Sequence, residues 1–291
     1  VTGVRVDHVD GLYDPAGYLQ SLSEALRAAA RAPEEPFYIV VEKVLSPGES
    51  LPSLWPVQGT TGYDFLNLVN GLFVHPEGAA RLREEYARFA GVHASFGEVL
   101  LTCKKLILLV SLSSELYVLA NRLDRISEQH RASRDFTLES LRFALREIVA
   151  SFAVYRTYVR REDRTMGVDD RAQVERAIEE AKRRNPATSE SLFDFVHQVL
   201  LLERPDGVDD AQMRERVDFV QRLQQLTGPV MAKGMEDTAF YRYFPLASAN
   251  EVGGDPEAPS TSLAEFHAAN ATRMRTHPHG LLATATHDTK R

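Results

Sequence analysis

The hydrophobic positions of this chain follow two different patterns, and the change comes near Pro76. Short continuous apolar runs, which are typical of strands buried in a parallel sheet, occur before that point and again at the end of the chain. From Pro76 to about residue 243, apolar residues recur three and four positions apart with charged residues between them, which indicates amphipathic helices. The pattern therefore predicts strands at both ends of the chain and a helical block between them.

The apolar runs predict strands over residues 1–9, 37–42 and 280–286, with a further short strand near 55–58. A helix is predicted over residues 14–32, because a proline stands in its first turn, where the missing N–H is harmless. A strand, a helix and a strand of these lengths are typical of a βαβ unit, in which the two strands are parallel.

The helical predictions rest on periodicity, with Pro, Asn and Asp residues as punctuation between segments. Ser262 and Glu265 form a capping-box signal at the start of the last helix. Irregular loops are predicted over residues 46–62 and 244–260. The predicted helices cover residues 63–74, 76–90, 95–128, 136–155, 168–184, 188–203, 209–227, 229–243 and 262–276.

Composition and charge narrow the choice of partners. The formal net charge is −7 over 291 residues, so neither nucleic acid nor an anionic membrane is expected, since both require basic patches. The most apolar stretch, residues 99–110, is interrupted by Lys104 and Lys105 and is shorter than the ~20 apolar residues of a membrane span. One cysteine, Cys103, cannot form an internal disulfide, and no leader-like segment opens the chain, which together favour a cytoplasmic location.

Three acidic residues, Asp7, Glu42 and Asp288, each end one of the long apolar runs. The carboxyl ends of parallel strands carry the chemistry of α/β folds, and paired carboxylates serve glycoside chemistry as nucleophile and acid/base. Arg5 lies two residues before Asp7, on the same face of the strand, where a cation keeps a carboxylate ionised. Taken alone, such an Asp and Arg are better explained as a structural ion pair.

The sequences around these acids are more specific than their spacing, and five stretches resemble the α-amylase family of glycoside hydrolases, in particular its trehalose-forming branch. Two departures from the wider family, Thr286 in place of Asn and Gly11 in place of His, also resemble that branch. The five stretches are Gly-Val-Arg-Val-Asp-His-Val-Asp-Gly-Leu at 3–12, Val-Glu-Lys at 41–43, Gly-Thr-Thr-Gly-Tyr-Asp at 59–64, Ala-Lys-Gly-Met-Glu-Asp-Thr-Ala-Phe-Tyr-Arg-Tyr at 232–243 and Thr-His-Asp-Thr-Lys-Arg at 286–291.

The resemblance implies a mostly α protein with an α/β part, a partial (β/α)₈ TIM barrel interrupted by a large helical subdomain. Residues 1–75 are expected to carry the nucleophile and acid/base strands, residues 76–250 the helical insertion, and residues 251–291 the return to the barrel. The chain begins and ends beside catalytic motifs, so we expect a fragment that lacks the rest of the barrel and is inactive by itself.

The resemblance also implies a reaction, in which the reducing-end α-1,4 linkage of a maltooligosaccharide is converted to an α,α-1,1 linkage by retaining transglycosylation. Asp7 is then the nucleophile, Glu42 the acid/base, and Asp288 the residue that binds and distorts the sugar ring. No cofactor or metal is expected, and the maltooligosaccharide is the expected partner. The candidate substrate-binding residues are Arg5, His8, Lys43, Trp55, Tyr63, Lys233, Asp237, Tyr241, His287 and Lys290.

Several alternatives remain open at this point. The reaction can be hydrolysis, with water as the acceptor, or the chain can be a helical interaction module without activity. Trp55 and Tyr63 fit stacking on a sugar and packing in the core equally well. The polar cluster of Lys233, Asp237 and Tyr241 fits either a gate over the site or a solvated face.

Overall fold

The computed structural model describes residues 2–29, 37–160 and 165–289 of the protein. Most of these residues are helical, and the chain divides into two compact units. The first unit combines Val1–Val99 with Glu236–Arg291, and the second contains Leu100–Met235. The mostly α character predicted from the sequence is confirmed, whereas the predicted subdomain bounds and the partial (β/α)₈ barrel stay predictions.

The described elements follow the chain in the order strand, helix, two strands, and then mainly helices. The strands are β1 (Gly3–Val6), β2 (Tyr38–Val41), β3 (Gly59–Thr60), β4 (Val159–Arg160) and β5 (Thr165–Met166). The helices are α1 (Pro15–Ala29), α2 (Tyr63–Gly71), α3 (Pro76–Ala90), α4 (Phe96–Val110), α5 (Ser113–Glu128), α6 (Leu138–Ser151), α7 (Val168–Arg184), α8 (Glu190–Leu200), α9 (Asp210–Met231) and α10 (Leu263–Thr276).

The first unit is built on a parallel sheet in the order β1-β2-β3. Val6 is in register with Val41, and Val41 with Thr60, so the three strands end at one level. Ile39 and Val41 are fully buried, which explains why the segment is an uninterrupted apolar run. The parallel pairing expected for the first two strands is confirmed, and it places the residues after β1 and β2 side by side.

Two strand predictions are wrong. Residues 280–286 are not a strand, because the described contact with β3 is a single backbone bond, from Leu281 N–H to the Thr60 carbonyl, and a ladder does not follow. The short strand predicted near 55–58 forms later, at Gly59–Thr60, because the Trp55 and Val57 amides make turn bonds with Pro52 and Trp55.

The helices differ most from prediction at two places, and the helix predicted over 229–243 does not continue past Glu236, since only a short 3-10 turn, Ala239–Tyr241, follows it. The helix predicted over 95–128 breaks at Leu112, whose φ of −118° is not helical, within a Ser-Leu-Ser-Ser stretch that favours caps. The break predicted before Pro229 does not occur, since α9 continues through this proline to Met231. Directly after Met231 the chain forms a wider π-helical turn, Ala232–Glu236. It comes three residues after Pro229, which lacks the N–H for a helical hydrogen bond.

The second unit is a helical cluster of α5 to α9 with the two-stranded hairpin β4–β5. Its core contains the fully buried side chains of Leu123, Leu145, Ile148 and Phe193. In the described parts of the chain, every helix is too short or too polar to span a lipid bilayer.

Candidate active site

Asp7 and Glu42 are the first residues after β1 and β2, and the register of these strands brings them together. One guanidinium group joins them, because Arg5 places Nη1 2.6 Å from Asp7 Oδ1 and Nη2 3.1 Å from Glu42 Oε1. The Asp7 side chain is 71% exposed and that of Glu42 only 17%. Two carboxylates therefore share one cation at the carboxyl end of the sheet, one of them open to solvent and the other largely covered.

The hydrogen bond from Arg5 lowers the pKa of Asp7 below its ordinary value, and a hydrogen bond with Glu42 lowers it further. Partial burial acts in the opposite direction but is weaker than these two contacts. Asp7 is thus kept ionised, which is the state that a carboxylate nucleophile requires.

His8 adopts an unusual backbone conformation beside this pair. Its φ of 46° and ψ of 50° are left-handed, a region that non-glycine residues seldom occupy. The conformation directs the His8 N–H to Glu42 Oε2, at 2.9 Å. Gly11 allows the imidazole to fold back, since a Cβ there would lie 2.4 Å from His8 Cδ2. The turn after β1 therefore binds the carboxylate after β2.

Asp288 reaches the same group from the end of the described chain. Its Oδ2 accepts a hydrogen bond of 2.5 Å from the Tyr63 hydroxyl. One carboxylate oxygen each of Glu42 and Asp288 and one imidazole nitrogen of His287 lie within 4.8 Å of one another. Burial and the bond to Asp288 raise the pKa of Tyr63 above its ordinary value, so the hydroxyl remains a donor.

Gly62 makes this approach possible. Its φ is 91°, and a Cβ at this position would lie 2.5 Å from the Leu281 carbonyl oxygen. The close passage of residues 281–283 over Gly62 places the turn at Thr286–Thr289, and with it Asp288, above Tyr63.

Lys43 does not lie where a direct sugar contact requires it, and that prediction is corrected. Its side chain is fully buried and pairs with Asp10 at 3.2 Å and with Glu49 at 2.7 Å. Burial lowers the pKa of Lys43, but the two carboxylates outweigh it and raise the pKa overall. Trp55 is also buried, at 6% exposure, which favours core packing over stacking on a sugar.

Of the remaining candidate substrate-binding residues, only some lie next to the carboxylates in the described structure. His287 is exposed next to Asp288. Lys233 is exposed in the second unit, and Asp237 and Tyr241 are exposed in the first, so their role as a gate stays a prediction. Lys290 lies outside the described residues.

Sequence reasoning missed two residues that shape the site, Asp10 and Glu49. Asp10 lies three positions after Asp7 in the motif at residues 3–12, and its place in that motif could have marked it as part of the site. No periodicity marks Glu49, because it lies in an irregular loop, where its carboxylate is held by the Lys43 ammonium and by the Ser46 amide.

A separate cavity of about 950 Å³ opens between the loop after β2 and helices α2 and α10. An ion pair of 2.6 Å between Asp64 and Arg273 stands in its wall. Asp7, Glu42 and Asp288 do not line this cavity.

Paired carboxylates at the ends of adjacent parallel strands, with a third close by, are the arrangement typical of retaining glycoside-converting enzymes. The known proteins to which this chain is similar are named as one particular kind of enzyme. A putative maltooligosyl trehalose synthase of Mycobacterium tuberculosis strain H37Rv is 34% identical over 291 residues, which is all of this chain and 33% of the relative. No protein-family model matches the sequence.

Solved structures agree with this similarity. Maltooligosyltrehalose synthase from Arthrobacter ramosus superposes with a TM-score of 0.78 at 32% identity, over 99% of this chain and 33% of that structure. A hypothetical maltooligosyl trehalose synthase of Sulfolobus tokodaii gives a TM-score of 0.68 at 28% identity, over 99% of this chain and 32% of that structure. The chain thus spans about a third of the length of the relatives it matches.

Proposed function

We propose that the natural protein carrying these residues is a maltooligosyltrehalose synthase of the α-amylase family. It converts the reducing-end α-1,4 linkage of a maltooligosaccharide into an α,α-1,1 linkage without net hydrolysis. The observation that carries the proposal is the placement of Asp7 and Glu42 on one guanidinium, that of Arg5. Retaining glycosidases place their two carboxyls ~5–5.5 Å apart, and the binding of both acids by one guanidinium supports such a pairing.

In the first step Glu42 gives its proton to the oxygen that leaves with the terminal glucose, and Asp7 attacks the anomeric carbon. The maltooligosyl group is then held on Asp7 as a covalent ester. In the second step Glu42, now ionised, takes the proton from the anomeric hydroxyl of the bound glucose. That oxygen displaces Asp7, so the configuration at the transferred carbon is retained.

Arg5 and Tyr63 support these steps without reacting. Arg5 keeps Asp7 ionised, because its hydrogen bond lowers the pKa of Asp7. Tyr63 holds Asp288 by its hydroxyl, and Asp288 binds sugar hydroxyls and favours the distorted, oxocarbenium-like ring.

We propose that β1, β2 and β3 are part of a (β/α)₈ barrel and that the second unit is an insertion in it. Three parallel strands cannot close such a barrel, and the Asp7 side chain is 71% exposed, so the described residues leave the nucleophile open to water. Transglycosylation requires that water be kept out. We therefore expect that further residues of the natural protein cover the site, and that the 291-residue chain alone is inactive.

Product analysis on maltopentaose tests this proposal. A non-reducing product of unchanged mass is expected from a synthase. Removal of its α-1,4-linked glucose units by an exo-acting glucan hydrolase, followed by a trehalose-specific hydrolase, identifies the new linkage. Shorter reducing sugars as the main products point instead to a hydrolase. If the complete natural protein does not turn over maltopentaose, both the synthase and the hydrolase are contradicted, and a non-catalytic interaction module remains as the explanation.

A further inference from the structure

A buried ion-pair group joins the two segments that follow the candidate catalytic carboxylates. The Lys43 ammonium lies 3.2 Å from Asp10 Oδ2 and 2.7 Å from Glu49 Oε1, and its side chain has no exposed area. Asp10 belongs to the short turn after β1, Val9–Gly11, and Glu49 to the loop after β2. The group therefore ties the segment after Asp7 to the segment after Glu42.

The turn that Asp10 anchors is strained. His8, directly before it, has a left-handed backbone with φ of 46°, and strained residues persist only where the surroundings hold them. Its N–H, in this conformation, donates to Glu42 Oε2 at 2.9 Å. Two contacts thus run in parallel from the β1 turn to the β2 end, the Asp10–Lys43 ion pair and the bond from His8 to Glu42.

We propose that Lys43 and Asp10 are positioning residues for Glu42, because their buried ion pair holds the His8 turn that fixes the Glu42 carboxylate. The inference rests on the proposed function for the role of Glu42 as acid/base. The two carboxylates raise the pKa of Lys43 despite its burial, so the ammonium stays charged and the ion pair is present at neutral pH.

The proposal makes a kinetic distinction. Lys43 and Asp10 are buried beneath the turn and do not reach a sugar, whereas the orientation of Glu42 decides whether its proton reaches the leaving oxygen. A small misplacement of a catalytic group lowers the rate of the chemical step far more than it changes binding. Loss of the ion pair should therefore lower kcat and leave KM nearly constant.

Asp10→Asn in the complete natural protein is the primary variant, because Glu49 still pairs with Lys43 and no buried cation is left alone. We expect kcat on maltopentaose to fall by roughly tenfold to hundredfold, with KM changed less than about threefold.

A second background tests whether the ion pair acts through the His8 turn. Asparagine tolerates the left-handed region. In a His8→Asn background the turn holds without the ion pair, and Asp10→Asn should then cost less than about threefold in kcat.

Glu147→Gln is the matched control. Glu147 is a buried carboxylate of the second unit, 2.5 Å from Lys105, so its loss should lower the Tm as Asp10→Asn does and leave kcat unchanged. An Asp10→Asn variant that loses Tm but keeps kcat overturns the proposal, as does an equal loss of kcat in both His8 backgrounds.

Amide hydrogen exchange at His8 gives a readout that does not depend on the reaction. The His8 amide should be protected in the unsubstituted protein and exchange at least about tenfold faster in Asp10→Asn, but not in Glu147→Gln. An unprotected His8 amide in the unsubstituted protein overturns the positioning role even if the enzyme is active. Protection without any trehalose-ended product would instead contradict only the proposed function.

Discussion

The Tyr63 hydroxyl donates a 2.5 Å hydrogen bond to Asp288 across 225 positions of sequence. Tyr63 is the first residue of α2, directly after the left-handed Gly62, so its ring is fixed by the start of a helix. Asp288 lies in an irregular turn and has no such support from regular structure. The contact explains how a carboxylate outside any strand is brought to Glu42.

The first prediction removes that hydroxyl. Tyr63→Phe leaves the buried ring in place but frees Asp288, and hydrogen bonds to charged groups contribute ~1.5–3 kcal/mol. We expect kcat/KM on maltopentaose to fall roughly tenfold to hundredfold, with a small change in Tm. Tyr117→Phe, which removes the hydroxyl of an exposed tyrosine in α5, is the control and should behave as the unsubstituted protein. Normal kinetics for Tyr63→Phe would mean that the bond only packs the turn.

The second prediction separates the roles of the two paired carboxylates. In the proposed mechanism Glu42→Gln removes the proton donor and Asp7→Asn removes the nucleophile. Loss of general acid/base catalysis costs ~10²–10⁴-fold in rate. A glycosyl fluoride has a leaving group that needs no proton, so it should restore the first step in Glu42→Gln but not in Asp7→Asn. Trapping of a glycosyl-enzyme by mass spectrometry is the measurement. Restoration in Asp7→Asn instead would reverse the assignment.

The third prediction concerns the acid side of the pH profile. Arg5 lowers the pKa of Asp7, so activity that needs ionised Asp7 persists to lower pH than an isolated aspartate allows. Arg5→Gln removes this effect, and the acid limb of kcat/KM should move to higher pH. Because Asp7 is largely exposed, salt should weaken the effect in the unsubstituted protein. An acid limb that does not move would show that another group controls it.

The sequence predicted the relationship of Asp7 to Glu42 because both follow buried strands, and strand register leaves little freedom. It did not predict the path of residues 281–286, since the Thr60–Leu281 contact and the close approach to Gly62 are tertiary contacts without periodicity. Lys43 was misassigned for a related reason. A Glu-Lys pair is usually exposed, and only the fold shows that Asp10 and Glu49 converge on this ammonium.

The fourth prediction concerns the stability of the second unit. Lys104 is fully buried, donates to the Phe152 carbonyl at 2.7 Å, and burial lowers its pKa to about 7. In the unfolded chain it keeps its proton up to about pH 10.4. Between these values the unfolded state binds more protons, so stability rises with pH, by at most about 1.4 kcal/mol per pH unit.

Lys104→Met removes this dependence, and it also removes a charge from an apolar site. The variant should be more stable than the unsubstituted protein near pH 7, with the difference in Tm shrinking as the pH rises toward 10. Thermal unfolding followed by circular dichroism at several pH values measures this. Parallel curves for the two proteins would show that Lys104 does not titrate in the folded state.

The last prediction concerns the choice between sugar and water as acceptor. In the proposed mechanism Asp7 and Glu42 act in the same way in hydrolysis and in transglycosylation, so they cannot make this choice. Something must hold the released glucose and exclude water, and Asp7 is open to solvent in the described residues. The segment 232–243 is our candidate, because it combines charged and aromatic side chains, of which Lys233 and Tyr241 are exposed to solvent.

Lys233→Ala and Tyr241→Ala should each raise the ratio of hydrolysis to transglycosylation more than they lower total bond cleavage. The ratio is measured as reducing ends released against trehalose ends formed from maltopentaose. Arg214→Ala, on an exposed position of α9, is the control and should change neither rate. An equal loss of both reactions in Lys233→Ala and Tyr241→Ala would indicate a folding role. An unchanged ratio would leave the segment as a solvated surface, and the exclusion of water would then depend on residues outside it.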